Sequence, residues 1–266
     1  MVTAGNNFID AGSGTAVVMV PGMEGAKEFF QPQIDRMSGK YHIVACDLAV
    51  RKPSISTSIK DYAAEVLKTM DSLGIEKAVV LGESMGGMVV QEIATSHPER
   101  VLALVLVNTF DNARTRMGFG PNMFTLATLV HNLVFLPFLN DRMRFRLLMW
   151  VGRHRGFVLD PSPGNRDLVQ YFFDHKPECG PGGFLDRFLA CGRQWYTEKL
   201  KDIRVPTLVI RGTEDRLVSP EATVQFVGRI PGARLALVEG GGHCCSFTVP
   251  DVTTNALLDW LSDSGL

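Results

Sequence analysis

Ala78-Val79-Val80-Leu81-Gly82-Glu83-Ser84-Met85-Gly86-Gly87-Met88-Val89-Val90-Gln91-Glu92-Ile93-Ala94 is the stretch that decides the fold. Its first four residues are apolar and largely β-branched, as in a strand buried on both faces. The residues from Met88 onward read as helix. Ser84 therefore stands in a G-x-S-x-G turn between a buried strand and a helix. A serine there is held in a strained backbone conformation, and glycine neighbours let strand and helix close around it. The helix N-terminus turns free N–H groups and a positive dipole end toward the reacting oxygen. A bare G-x-S-x-G also arises in loops with a solvent-facing serine. The strand before it and the helix after it set this one apart.

Working outward, the same alternation recurs. Phe8-Ile9-Asp10 reads as a short first strand, and Ala16-Val17-Val18-Met19-Val20 as a buried one that stops at Pro21-Gly22. A helix is expected over Lys27 to Met37, then a strand over Tyr41 to Cys46. Ile59, Tyr62, Ala63, Val66, Met70 and Leu73 recur at helical spacing, and Gly74 closes that helix. After the central stretch, His97-Pro98 ends the helix, and Val101 to Val107 forms the next strand. From about Asp111 to Asp202 no buried β-branched run occurs. Amphipathic helical patterns rich in Met, Phe, Leu and Arg replace it. Alternation resumes with a strand at Pro206 to Arg211, a helix over Pro220 to Arg229, a strand at Arg234 to Val238 and a helix over Val252 to Leu261. Buried strands alternating with helices give a parallel sheet covered on both faces.

Composition narrows the field. At 266 residues, the chain can build one large domain. A formal net charge of -1 gives no electrostatic reason for nucleic acid or an acidic membrane surface. Five cysteines, without C-x-x-C or a zinc spacing, suggest free thiols in a reducing compartment. The N-terminus shows no basic-then-apolar leader, so a cytoplasmic location is expected. The longest apolar stretch, Met123 to Leu139, is broken by His131, Asn132 and Pro137. It sits at the lower limit for a membrane span and reads as protein-buried helix.

In such sheets ligands bind beyond the carboxyl ends of the strands. Three residues stand there: Ser84, Asp215 in Gly212-Thr213-Glu214-Asp215-Arg216, and His243 in Glu239-Gly240-Gly241-Gly242-His243. A serine hydroxyl needs a base during attack. Histidine titrates near pH 6.5, and a carboxylate must orient the imidazole. Singly, Asp215 could be a turn residue and His243 an ordinary loop histidine. Their joint placement, in the order Ser, Asp, His, favours a triad. Asp111 also lies past a strand end and competes with Asp215. Glu83 reads as a flanking residue that, if buried, could tune His243. Cys244-Cys245 reads as packing, since a vicinal disulfide is strained. Met88 reads as core.

These residues resemble the capped type of α/β-hydrolase over nearly the whole chain. Asp10 to Gly22 resembles the family's first long strand and following loop. Gly212-Thr213-Glu214-Asp215-Arg216-Leu217-Val218 is similar to its G-x-x-D-x-x-V acid loop, and Gly242-His243 to its histidine loop. The resemblance implies a mostly parallel, doubly wound sheet with a helical cap inserted after the sixth strand. Residues 1–110 and 203–266 would form the core, and 111–202 the cap. It also implies an oxyanion hole from the backbone N–H groups of Met23 and Met85. Within the family the pattern is similar to serine esterases, lactonases, perhydrolases and C–C bond hydrolases. Haloalkane dehalogenases and epoxide hydrolases carry aspartate where Ser84 stands. Two segments depart from the family: Pro21-Gly22 replaces His-Gly, and Asp47 to Pro53 lacks glycines. Val107-Asn108-Thr109-Phe110-Asp111 bears a fainter likeness to the maspardin branch, where binding proteins occur.

The expected function is hydrolysis of a carboxylic ester or similar acyl bond in a small, largely apolar substrate, with no cofactor or metal. C–C bond hydrolysis, acyl transfer and a non-catalytic scaffold are the alternatives. No integral membrane span and no nucleic-acid partner are expected. Homo-oligomerisation through the cap is a further possibility.

Overall fold

The apolar runs become strands because each can bury both of its faces. The computed structural model describes residues 3–5, 7–23, 25–48, 56–112, 181–215 and 217–266. Its strands are β1 (Thr3–Gly5), β2 (Phe8–Ala11), β3 (Ala16–Val20), β4 (His42–Cys46), β5 (Ala78–Glu83), β6 (Val101–Val107), β7 (Thr207–Gly212) and β8 (Arg234–Val238). Its α-helices are α1 (Gln31–Met37), α2 (Ile59–Ser72), α3 (Met85–Ser96), α4 (Pro181–Arg193), α5 (Pro220–Val227), α6 (Cys245–Thr248) and α7 (Pro250–Asp263). The strands form one sheet in the order β1-β2-β4-β3-β5-β6-β7-β8. From β4 to β8 every pairing is parallel, whereas β1–β2 and β2–β4 are antiparallel.

Strand alternation divides the core between two layers. Val18, Val20, Val80, Leu104 and Leu106 face one way and pack with α2, α3 and α5. Val17, Met19, Val79, Leu81, Val105 and Val107 face the other and pack with α1 and α7. Each fully buried Val or Leu contributes roughly 1.5–3 kcal/mol. The central strands β3 and β5 are therefore the most strongly held part of the sheet. At the β8 edge the pattern weakens, and Leu235 and Leu237 are exposed.

Most sequence boundaries agree, with local corrections. The first strand is Thr3–Gly5, which hairpins onto Phe8–Ala11. Its small residues, Thr-Ala-Gly, carry no apolar period to announce it. The helix expected over Lys27 to Met37 begins as a 3-10 turn at Lys27–Phe30, and regular helix starts at Gln31 beside Pro32. Proline fits a first helical turn because its missing N–H would have no partner there. Gly74 closes α2 with φ of 67°. Of the segment 111–202, the structure describes 111–112, α4 and the stretch to Asp202; the apolar run 123–139 lies outside the described residues. So do residues 49–55, most of the glycine-poor stretch after Asp47. Among the described residues, no helix is long and apolar enough to cross a membrane.

Candidate active site

The carboxyl ends of β5, β7 and β8 come together because parallel pairing through β6 holds them in register. Glu83 pairs with Val107, Val107 with Ile210, and Gly212 with Val238. The residues just past these ends then meet above the sheet.

Ser84 is the N-cap of α3, with φ of 53° and ψ of -118°. Positive φ is rare for a side-chain-bearing residue and costs energy that packing must supply. Several contacts fix it. Ser84 N–H donates to the Val107 carbonyl at 2.9 Å, and the Thr109 hydroxyl donates to the Ser84 carbonyl at 2.6 Å. The glycines are required by close approach. A Cβ at Gly86 would fall 2.1 Å from the Val20 carbonyl oxygen, and one at Gly87 would fall 2.3 Å from Thr109 Oγ1. The loop after β3 is equally close: a Cβ at Gly22 would stand 3.2 Å from Ser84 Cβ and 3.8 Å from its Oγ. The Pro21-Gly22 departure thus leaves this loop against the serine. Met23 follows on it, partly buried against the core.

The three sequence-selected side chains are joined. Ser84 Oγ lies 2.8 Å from His243 Nε2, and His243 Nδ1 lies 3.1 Å from Asp215 Oδ2. Asp215 Oδ1 accepts the N–H groups of Leu217 at 2.8 Å and Val218 at 3.1 Å. These bonds assign the tautomer: Nδ1 carries the proton toward the carboxylate, and Nε2 is left to accept from the serine. Burial disfavours charge on His243, yet the Asp215 carboxylate outweighs it and holds the histidine pKa above its ordinary value. Burial likewise works against Asp215 ionising, but His243 and the two backbone donors prevail and lower its pKa. Both partners are about nineteen-twentieths buried, with exposures of 4% each. The pair titrates as a unit.

Asp111 is placed elsewhere. Its carboxylate accepts the Thr197 hydroxyl at 2.5 Å, and its carbonyl accepts the Tyr196 N–H at 2.9 Å. Glu214 meets the histidine loop only through its backbone N–H, which donates to the Gly241 carbonyl.

Glu83 is 1% exposed, with its carboxyl beside Ser246 and no well-formed hydrogen bond to either oxygen. Burial pushes it up to about 8, against the opposing pull of Ser246 and His243. It is therefore a neutral acid at pH 7. The described cysteines are free, and Cys245 is buried in the core. Among the described residues, no three His, Cys, Asp or Glu side chains gather as a metal would need.

Sequence reasoning passed over the residues that hold this arrangement. Asn108 has φ of 43° and sits past the end of β6. Its Nδ2 donates to the carbonyls of Gly242 at 3.0 Å and His243 at 2.9 Å, and to Cys245 Sγ at 3.2 Å. Its Oδ1 accepts the Gly212 N–H at 2.9 Å. One side chain thus ties β6, β7 and the histidine loop together. Asparagine ending a buried strand was the available signal, since it enters the left-handed region more readily than other side chains. Arg211 wraps the acid loop from within β7, donating to the carbonyls of Thr213, Asp215 and Val218 at 3.1–3.4 Å.

This fold and site belong to a known class. Residues 15–250 match the family model described as alpha/beta hydrolase fold, and the chain belongs to that family. It is 27% identical over 268 residues to RutD of Azorhizobium caulinodans, a protein that carries the name of a carbamate hydrolase. That match covers 95% of this chain and 93% of the relative. Among solved structures, the enol-lactonase of Burkholderia xenovorans LB400 superposes with TM-score 0.80 at 21% identity, covering 98% of this chain and 100% of the other. An esterase from Exiguobacterium antarcticum gives TM-score 0.79 at 21% identity, covering 96% and 94%.

Proposed function

We propose that the protein is a cofactor-independent serine hydrolase that cleaves a carboxylic ester or similar acyl bond. The hydrogen-bonded chain Ser84–His243–Asp215 at the strand ends carries this reading. The relatives' names point the same way. Carbamates, lactones and esters are all opened by attack on a carbonyl-type carbon.

In this reading Ser84 Oγ attacks the carbonyl carbon as His243 Nε2 takes its proton. Asp215 keeps Nδ1 protonated and stabilises the imidazolium. The oxyanion is received by the N–H groups of Met23 and Met85. Met85 is the first residue of α3, so no helical carbonyl precedes it to accept its N–H. Gly22 holds the Met23 loop against the serine. His243 then returns the proton to the leaving alcohol, and water, activated by the same imidazole, releases the acid and restores Ser84. The expected cap, residues 111–202, supplies the apolar wall, so the acyl group is largely apolar. Each methylene buried contributes up to about 0.8 kcal/mol. From 4-nitrophenyl acetate to hexanoate, kcat/KM should therefore rise more than about tenfold.

A fluorophosphonate probe tests the assignment: it should label the wild type and leave Ser84→Ala unlabelled. Equal labelling of both would refute the nucleophile. No labelling of either, with no ester turned over, would favour the scaffold reading.

A further inference from the structure

The last residue of β5 breaks the apolar layer it belongs to. Val79, Leu81 and Glu83 alternate onto one face of the strand, and that face packs against α1, α6 and α7. Glu83 is 1% exposed, and neither carboxyl oxygen has a well-formed hydrogen bond. An acid buried in this way costs the fold energy rather than supplying it. Packing alone does not account for it.

Its surroundings tie it to the triad. Glu83 directly precedes Ser84, and Ser246, beside the carboxyl, stands three residues after His243. Ser246 is held in place, since its carbonyl accepts Gln33 Nε2 at 2.7 Å. The same Nε2 donates to Thr254 Oγ1 at 3.2 Å. The titratable groups acting with Glu83 are His243 and Asp215 on their loops and the Cys245 thiol on α6. On this side α1 and α7 present Gln33 and Thr254, both uncharged. Among the described residues no lysine or arginine pairs with the acid. Burial does most to keep the proton on Glu83; Ser246 and His243 favour its loss, and Asp215 opposes it. The coupling is mutual. Burial works against charge on His243, Asp215 favours that charge most, and Glu83 favours it next.

We propose that Glu83 is a positioning residue that acts through His243, a second acid behind the imidazole whose charge sets the strength of that ring as a base. This rests on the reading of Ser84 as nucleophile and His243 as base. Near pH 7 the acid is neutral, and Asp215 alone lends negative charge to the imidazolium that forms during attack. At higher pH Glu83 gives its proton to solvent hydroxide. A second negative charge then acts on the same ring and stabilises the imidazolium further.

The pH profile of kcat/KM on 4-nitrophenyl acetate, corrected for hydrolysis without enzyme, reads this directly. After the acid limb of His243, the wild type should show a second rise near pH 8. Its size should be about three- to tenfold, since a tenfold stronger base gives at most about a tenfold faster attack. Glu83→Gln keeps the size of the side chain but cannot ionise, so its profile should level off after the first limb. Ser246→Ala removes a group that favours the carboxylate, and should carry the second rise to higher pH. A wild-type profile with a single limb, or a second rise that survives in Glu83→Gln, would overturn the proposal. So would a second rise left in place by Ser246→Ala, which keeps the test open if Glu83→Gln does not fold. The His243 ring resonances give a readout without turnover. Their NMR titration should bend twice in the wild type and once in Glu83→Gln; a wild-type ring that titrates in one step overturns the coupling. Failure of the hydrolase reading looks different: no ester is cleaved and no fluorophosphonate label is taken up, while the histidine titration still reports Glu83.

Discussion

Asn108→Ala should loosen the histidine without touching the triad. The side chain makes three hydrogen bonds to buried backbone groups and one to Cys245 Sγ. Each backbone bond is worth about 1 kcal/mol net, and the Gly212 N–H left without its acceptor adds about 1–3. Alanine at φ of 43° adds about 1 more. The total is about 5–7 kcal/mol, or a fall in melting temperature of more than about 10 °C at the usual 2–4 °C per kcal/mol for a chain of this size. The histidine loop would lose the pins on Gly242 and His243, so Nε2 would no longer be held 2.8 Å from Ser84 Oγ. Misplacement on the ångström scale costs on the order of 10² in rate. Thermal unfolding and the rate of fluorophosphonate labelling measure the two effects separately. Asn108→Asp sharpens the test. It keeps the acceptor for Gly212 but turns an oxygen toward two carbonyls, and so should be worse than alanine at pH 7. A variant with wild-type melting and labelling would refute the claim that this side chain holds the site together.

Three further outcomes follow from the geometry. Asp215→Asn should lower kcat by on the order of 10⁴, whereas Asp111→Asn should leave ester turnover within a few-fold of wild type; the reverse pattern would move the acid to the earlier strand. Falling pH protonates His243 and removes the base. Because Asp215 raises its pKa, the acid limb of kcat/KM should lie above the ordinary 6.5, and a limb at or below that value contradicts the pairing. Glu83 binds a proton in the folded state up to about pH 8 that the unfolded chain gives up near 4.5, so stability falls as pH rises through that window. Glu83→Gln should cancel the slope, and its melting temperature relative to wild type should climb from pH 5 to pH 8. A constant offset would mean that Glu83 does not titrate there.

The sheet, and the three strand-end residues that meet above it, were legible because they rest on local signals. Val79-Val80-Leu81 could be nothing but buried strand, and Ser84, Asp215 and His243 each follow such a strand directly. Asp215 was chosen over Asp111 on the resemblance of Gly212 to Val218 to the family's acid loop, because both residues follow a strand and position alone does not separate them; in the fold Thr197 bonds Asp111 and His243 bonds Asp215. Asn108 was missed for a related reason. Its partners lie more than a hundred residues away, at Gly212 and the histidine loop, and no periodicity encodes such distances. The N-terminal hairpin escaped because Thr3-Ala4-Gly5 has no apolar face to read.

The hydrogen bond from Tyr196 N–H to the Asp111 carbonyl closes a ring in the chain. Tyr196 N returns to within 2.9 Å of the Asp111 carbonyl oxygen, so the two ends of the stretch between them are pinned together. Closing such a loop costs little more as it lengthens. Length can therefore vary ahead of α4, whose Ala190 and Cys191 pack in the core, while β6 and β7 keep their register. A change in chain length between Asn112 and α4 should therefore leave the 2.8 Å approach of His243 Nε2 to Ser84 Oγ unaltered.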